Sequence, residues 1–180
     1  MKAMIISDIH GSLTCLKDVM KYYDEFECEK LLILGDELYH GPRNSIPEGY
    51  DCKGVADLLN TYKDVIEACR GNCEAEVDQM LLEYNCMEDY ELVKMNGHNF
   101  MLTHGHIFKE DTLPRLPFEI LLSGHTHIPD IHQANNILFV NPGSITFPKN
   151  GTPKCFGIID EKAITIYTVD EKKEYLKVQL

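Results

Sequence analysis

The chain lacks any apolar run of the roughly 20 residues that a membrane-spanning helix needs; its apolar stretches, such as Leu31–Leu34, are strand-sized. It lacks internal repeats, low-complexity tracts and linker-like segments, so its 180 residues read as a single domain, residues 1–180, with a sizeable core. It is poor in cations. Lys and Arg number 17 against 29 Asp and Glu, a net charge of -12, which argues against an extended nucleic acid as partner because phosphate backbones are held mainly by basic side chains. A small anionic substrate stays open, since bound cations can reverse the local field. There is no CxxC pair; the seven cysteines are scattered and odd in number, and read as reduced thiols. An apolar strand beginning at residue 3 leaves no room for a secretory leader, so a cytoplasmic location and no membrane partner are expected.

What the chain does have is a repeated event. Five times a short apolar run stops at a good metal ligand: Met4–Ser7 before Asp8 and His10, Leu31–Gly35 before Asp36, Val65–Gly71 before Asn72, Phe100–Thr103 before His104 and His106, and Ile120–Gly124 before His125 and His127. Strand ends at one edge of a sheet are where α/β proteins gather their ligands. Residues i and i+2 of an extended segment point the same way, so Asp8 with His10, and His125 with His127, are expected to present ligands in pairs. Gly35, Gly71 and Gly124 stand just before ligands, where a backbone must turn or come close. Oxygen and imidazole donors without thiolate suit Mn, Fe, Co, Ni or Zn, and so many imidazoles argue against Mg or Ca. Two such ions make hydroxide at neutral pH and clamp a phosphate ester.

The charge balance bears on the substrate. Two divalent cations, less Asp8, Asp36 and a bridging hydroxide, leave roughly one positive charge, which matches a phosphodiester monoanion. A monoester dianion needs a further cation, which Arg43 could supply. His98, in a turn, and His132 read as ordinary surface residues.

The periodicity gives the frame. Ser12 caps a helix whose apolar face is Leu13, Leu16, Val19, Met20 and Tyr23. A long loop over Glu37–Lys53 precedes a helix over Gly54–Tyr62, a strand over Val65–Cys69 and a helix over Glu74–Tyr84 with Val77, Met80, Leu81 and Tyr84 inward. This β-α-β-α-β-α order favours parallel strands. The second half is β-rich. It holds a hairpin around Asn96-Gly97-His98, then runs at Glu119–Leu122, Ile137–Val140, Phe156–Ile159 and Ala163–Val169. A second, largely antiparallel sheet packed on the first is expected, giving an α/β (α+β by some schemes) fold of two stacked β-sheets flanked by helices.

Read in order, SDIHG, GDELYHGPRN, GNCE, THGH, GHTH and NPGS resemble the signature set of the calcineurin-like metallophosphoesterases, and HGPRN, PEGY and GNC resemble its small bacterial YfcE-type phosphodiesterases. The resemblance implies a sandwich of two sheets. It implies a first metal held by Asp8, His10 and His127, a second by Asn72, His104 and His125, and Asp36 bridging them. It further implies manganese as the activating ion and a homo-oligomer, a dimer. The expected activity is a dinuclear phosphodiesterase in which hydroxide between the ions attacks phosphorus. Asp36, Asn72, His104 and His40 are the candidate catalytic groups; Asn72, His40, Arg43, Cys73 and His106 are the candidate substrate contacts. Many relatives carry a histidine where Cys73 stands, and that histidine is taken to protonate the leaving group. A thiol is a poor substitute, which points to substrates with good leaving groups, such as aryl diesters. His40 either contacts phosphate, supplies the missing acid, or is an ordinary loop histidine. The alternatives to a diesterase are a phosphomonoesterase on a small substrate and a non-catalytic interaction scaffold on the same fold.

Overall fold

The computed structural model describes residues 1–180. In chain order its elements are β1 (Ala3–Ile6), α1 (Leu13–Glu25), β2 (Lys30–Ile33), α2 (Cys52–Asn60), β3 (Ile66–Ala68), α3 (Glu76–Leu81), β4 (Tyr90–Met95), β5 (His98–Thr103), β6 (Ile120–Leu122), β7 (Pro129–Ala134), β8 (Ile137–Pro142), β9 (Cys155–Ile159), β10 (Ala163–Thr168) and β11 (Glu174–Gln179). They build two sheets, with strand orders β11-β10-β9-β1-β2-β3 and β4-β5-β6-β8-β7.

The side-chain alternation of the strands divides the core. Met4 and Ile6 of β1 join the layer under α1 and α2, with Leu16, Val19 and Leu59. Ile5, one residue on, faces the other sheet and meets a layer containing Phe100, Leu102, Ile120 and Leu122. The period of 2 puts Met101 and Leu121 on the far side of the second sheet, beside Phe139. β1 and β2 are thus covered on both faces, as their unbroken apolar runs require. Ser12 caps α1 by accepting from the Cys15 amide, and its predicted apolar face is buried except for Leu13, which is half-buried. The hairpin turns on Asn96 (φ 54) and Gly97 (φ 90), both left-handed as a two-residue turn demands; His98 is the first residue of β5.

The structure corrects the second half. β9 and β10 do not join a second sheet: β9 runs antiparallel to β1 and β10 antiparallel to β9, extending the first sheet. What remains is mixed, because β5, β6 and β8 are mutually parallel and only β4 and β7 run against them. Both sheets therefore carry a parallel trio. β7 and β11 were not anticipated; each is an edge strand with polar side chains outward, Asp130 and Gln133 in one and Glu174 and Lys177 in the other, a composition that hides the strand signal. α2 starts at Cys52 on an Asp51 cap, ahead of the expected Gly54. α3 spans only six residues and leaves Val77, Met80 and Leu81 exposed; Asp78 is its buried side chain.

Candidate metal centre

The two parallel trios aim their C-terminal ends at one place. From the first sheet, β1 delivers Asp8 and His10, β2 delivers Asp36 and β3 leads to Asn72. From the second, β5 delivers His104 and His106 and β6 delivers His125 and His127. His127 Nε2 lies 3.2 Å from Asp8 Oδ1, and His10 Nε2 lies 3.6 Å from both Asp8 Oδ1 and Asp36 Oδ2. His104 Nε2 is 3.4 Å from Asp36 Oδ2 and 3.1 Å from Asn72 Oδ1. The donor atoms of Asp8, His10 and His127 form one cluster and those of Asp8, Asp36 and His104 another, each within 4.8 Å. The His125 ring stands 5.1 Å from that of His104.

The paired ligands are not presented by extended backbone as expected. Asp8 (φ 56), His10 (φ 49), Asp36 (φ 58), His125 (φ 65) and His127 (φ 61) are all left-handed. Each strand ends in a tight reversal that swings a polar side chain inward, and such conformations persist where the surroundings over-determine them. The glycines act by close approach. A Cβ on Gly124 would overlap Ser7 Oγ and stand 2.9 Å from Asp8 Oδ2; one on Gly71 would collide with Asp36 Oδ1. We expect Gly124→Ala to lower the melting temperature, since overpacking costs about 1–3 kcal/mol. It should also weaken metal uptake by pushing Ser7 off Asp8; unchanged melting and uptake would show that the close approach is dispensable.

The remaining hydrogen bonds of these side chains prepare them for a cation. His10, His104 and His127 each donate Nδ1–H to a backbone carbonyl, of Tyr39 (2.9 Å), Leu34 (2.6 Å) and Phe147 (2.7 Å). That fixes the tautomer and turns the Nε2 lone pair toward the carboxylates. Asp8 Oδ2 accepts from Ser7 Oγ at 2.7 Å and from the His125 amide at 3.1 Å. Asp8 Oδ1 and His10 Nε2 are buried with no hydrogen-bond partner. An unpartnered carboxylate oxygen facing an unpartnered imidazole nitrogen is costly unless a cation joins them, so the residues fit divalent ions.

The electrostatics of the metal-free protein are shaped by the same contacts. Burial opposes ionisation of Asp8, yet its contacts with His10 and His127 hold it well below the usual carboxylate range. Burial also opposes the charge on His104, but Asp36 and then Asp8 win and lift it to about 9. His125 goes the other way: burial, then the nearby His104, push it down to about 4. Burial and the neighbouring Asp36 raise the Cys73 thiol far above its ordinary value, leaving it a neutral and poor proton donor.

A cleft of about 380 Å³ opens over these groups, lined by His10, Asp36, Asn72, Cys73, His125 and His127 together with Arg43, Asn44 and Lys149. Arg43 is thus in the wall of the cleft. His40 is not in the lining; its ring lies 4.7 Å from that of Tyr39 and 5.2 Å from that of Tyr50, with Nδ1 3.3 Å from the Tyr50 hydroxyl. His106 is not in the lining either; its ring lies 5.4 Å from that of His104 and 6.2 Å from that of His125. His98 and His132 do not line it and pair with Glu119 and Asp130. Sequence reasoning missed Lys149, which no motif marks. It also missed Glu74, although that residue ends GNCE. Its carboxylate accepts from the amides of Asp36 (3.0 Å), Glu37 (2.6 Å) and Gly71 (2.5 Å), tying the loop after β2 to the loop after β3.

Fold and site together define a metallophosphoesterase. The chain belongs to the calcineurin-like phosphoesterase superfamily, whose domain matches residues 1–163. It is 39% identical to Phosphodiesterase YfcE of Escherichia coli strain K12 over the whole chain and 98% of that protein. The solved structure of Yfce, described as a phosphoesterase from E. coli, superposes with a TM-score of 0.95 over 99% of this chain and 98% of that one. Vacuolar Protein Sorting 29 from Cryptosporidium parvum shares the fold, with a TM-score of 0.70 at 16% identity over 99% of this chain and 97% of that one. No helix is long and apolar enough to cross a membrane.

Proposed function

We propose that the chain is a dinuclear phosphodiesterase of the cytoplasm that hydrolyses a small phosphodiester and works as a homodimer. The observation that carries the reading is the facing pair of buried, unpartnered atoms, Asp8 Oδ1 and His10 Nε2, set among five more donor side chains. Asp8, His10 and His127 would hold one ion and Asn72, His104 and His125 the other, with Asp36 shared; manganese is the ion the family resemblance favours. When bound, such a pair supplies a nucleophile at neutral pH and draws charge from the phosphoryl oxygens.

The chain's own residues do the rest. Asn72 Nδ2 stays free of metal when its oxygen is engaged and can donate to a phosphoryl oxygen. Arg43 and Lys149 line the cleft and attract the anion into it. The Cys73 amide donates to Asp36 Oδ1 at 2.9 Å, keeping that carboxylate turned inward. The Cys73 thiol itself holds its proton too tightly to give it to a leaving group, so leaving groups stable as anions are favoured. The two cations in the lining also support a second reading, hydrolysis of a monoester dianion.

The test is stripped protein reconstituted with manganese and offered bis(p-nitrophenyl) phosphate and p-nitrophenyl phosphate. Manganese-dependent turnover with kcat/KM higher for the diester is expected. Preference for the monoester would favour the second reading, and a metal-replete sample inert toward both would return the chain to the scaffold alternative.

A further inference from the structure

Beside the metal cleft lies a second and larger cavity, about 540 Å³, on the outer face of the second sheet under the loop of residues 104–119. Phe108, Leu121, Ile128, Phe139 and Val140 form its apolar wall, polar and charged residues make up most of the rest of the lining, and it meets the metal cleft at His125, which lines both. We propose that this cavity receives the apolar arm of the phosphodiester whose ester bond survives the reaction. The proposal rests on the phosphodiesterase reading of the cleft.

Three observations select that occupant. The shared wall is a candidate metal ligand, so a phosphorus atom placed over the ions has one substituent directed past His125 into the cavity. The charged groups of the lining balance only as a set, Lys109 and protonated His132 against Glu110 and Asp130; His132 contacts Asp130 at 2.5 Å and Glu110 at 3.4 Å and stacks on Phe139. Apolar contact is then the selecting chemistry, as in most small-molecule sites of this size. Finally, the two arms of a diester differ in charge. The departing oxygen gathers negative charge, which suits the cleft with Arg43 and Lys149. The retained arm gathers none and suits the apolar wall of the cavity. The sixteen-residue crossover between β5 and β6 is long for a connection in a compact domain, and such loops are commonly binding elements.

The experiment holds the leaving group constant and varies the retained arm. The manganese-loaded full chain is given methyl, propyl, hexyl and phenyl p-nitrophenyl phosphates, and kcat/KM is measured for wild type and for Ser123→Phe, which places a ring in the cavity from its half-buried wall. We expect kcat/KM to climb along the series and to favour phenyl over methyl by about tenfold or more. Ser123→Phe should bring that ratio near one by lowering kcat/KM for the phenyl ester far more than for the methyl ester, since methyl needs no cavity. A flat wild-type series overturns the proposal, and so does a steep series that a folded Ser123→Phe leaves unchanged. If the variant does not fold, the wild-type series decides alone. If no diester is hydrolysed, the phosphodiesterase reading has failed. The cavity is then judged by calorimetric binding of diphenyl phosphate: binding lost in Ser123→Phe supports it, and absent or unaltered binding overturns it. A dimer that Ser123→Phe dissociates would assign the cavity to a second copy of the chain and overturn the proposal as well.

Discussion

Asp36→Asn is expected to lower turnover of a chromogenic phosphodiester by about 10³-fold or more while leaving the fold intact. Asp36 Oδ2 stands between a donor assigned to each ion, 3.6 Å from His10 Nε2 and 3.4 Å from His104 Nε2, closer to the latter than Asp8 Oδ1 at 3.9 Å. Its Oδ1 is already taken by the Cys73 amide. Asparagine keeps that acceptor and the volume but loses the negative charge, and it turns an NH₂ toward the cations it should bridge. Two divalent ions held close together without that charge repel each other, so one is lost. Metal content per chain should fall from two toward one, in step with activity, and the melting temperature of the stripped variant should match that of stripped wild type to within a few degrees. A folded, metal-poor Asp36→Asn with wild-type rate would sink the assignment.

The candidate site was more legible in the sequence than the sheets that carry it, and the reason is physical. Each ligand follows a short apolar run, and a run that stops abruptly at Asp or His has few explanations other than a buried polar task. That signal is local and survives without knowledge of topology. The glycines were legible for the same reason, since Gly124 and Gly71 sit where a Cβ would strike Ser7 or Asp36. The conformation that aims the ligands was not: alternation predicts extended pairs, whereas left-handed residues at Asp8, His10, His125 and His127 are set by the convergence of two sheets. Sheet membership was likewise hidden. Nothing in Phe156–Ile159 says whether it pairs with β1 or with β8, because both faces of β9 are buried and either neighbour would satisfy it. β7 and β11 were missed because edge strands carry polar residues where the pattern looks for apolar ones. α3 misled through Val77, Met80 and Leu81, whose helical spacing is real but whose face meets solvent. Lys149 reaches the cleft only through the fold.

Stripping the metal should reveal a pH dependence that the loaded protein lacks. In the metal-free chain the His104 imidazole sits buried against Asp36 and Asp8, and its pKa rises from 6.5 to about 9. The folded state therefore holds a proton that the unfolded state releases. Stability from this group is fully present below pH 6.5 and is lost as pH climbs through 9, because over that window the native protein binds more protons than the denatured one. A rise of this size corresponds to roughly 3 kcal/mol. The depressed Asp36 is the same interaction seen from its partner and adds nothing on the alkaline side; its share is lost on acidification below the ordinary carboxylate range. His125, pushed down to about 4, also acts on the acid side, its contribution falling away as pH drops from 6.5 through 4. Denaturant titrations of stripped protein at pH 6.5 and pH 9 should thus differ by several tenths of a molar or more in midpoint, with the lower value at pH 9. Loading should raise the level and remove the slope. Asp8, His10 and His104 would hold the ions through the atoms that the proton otherwise serves, so the alkaline loss should vanish. The whole curve should also rise, by about 4 kcal/mol when free metal exceeds its dissociation constant a thousandfold. A stripped protein equally stable at both pH values would refute the charge arrangement drawn for His104, and a loaded one no more stable than the stripped would refute the site as a place for ions.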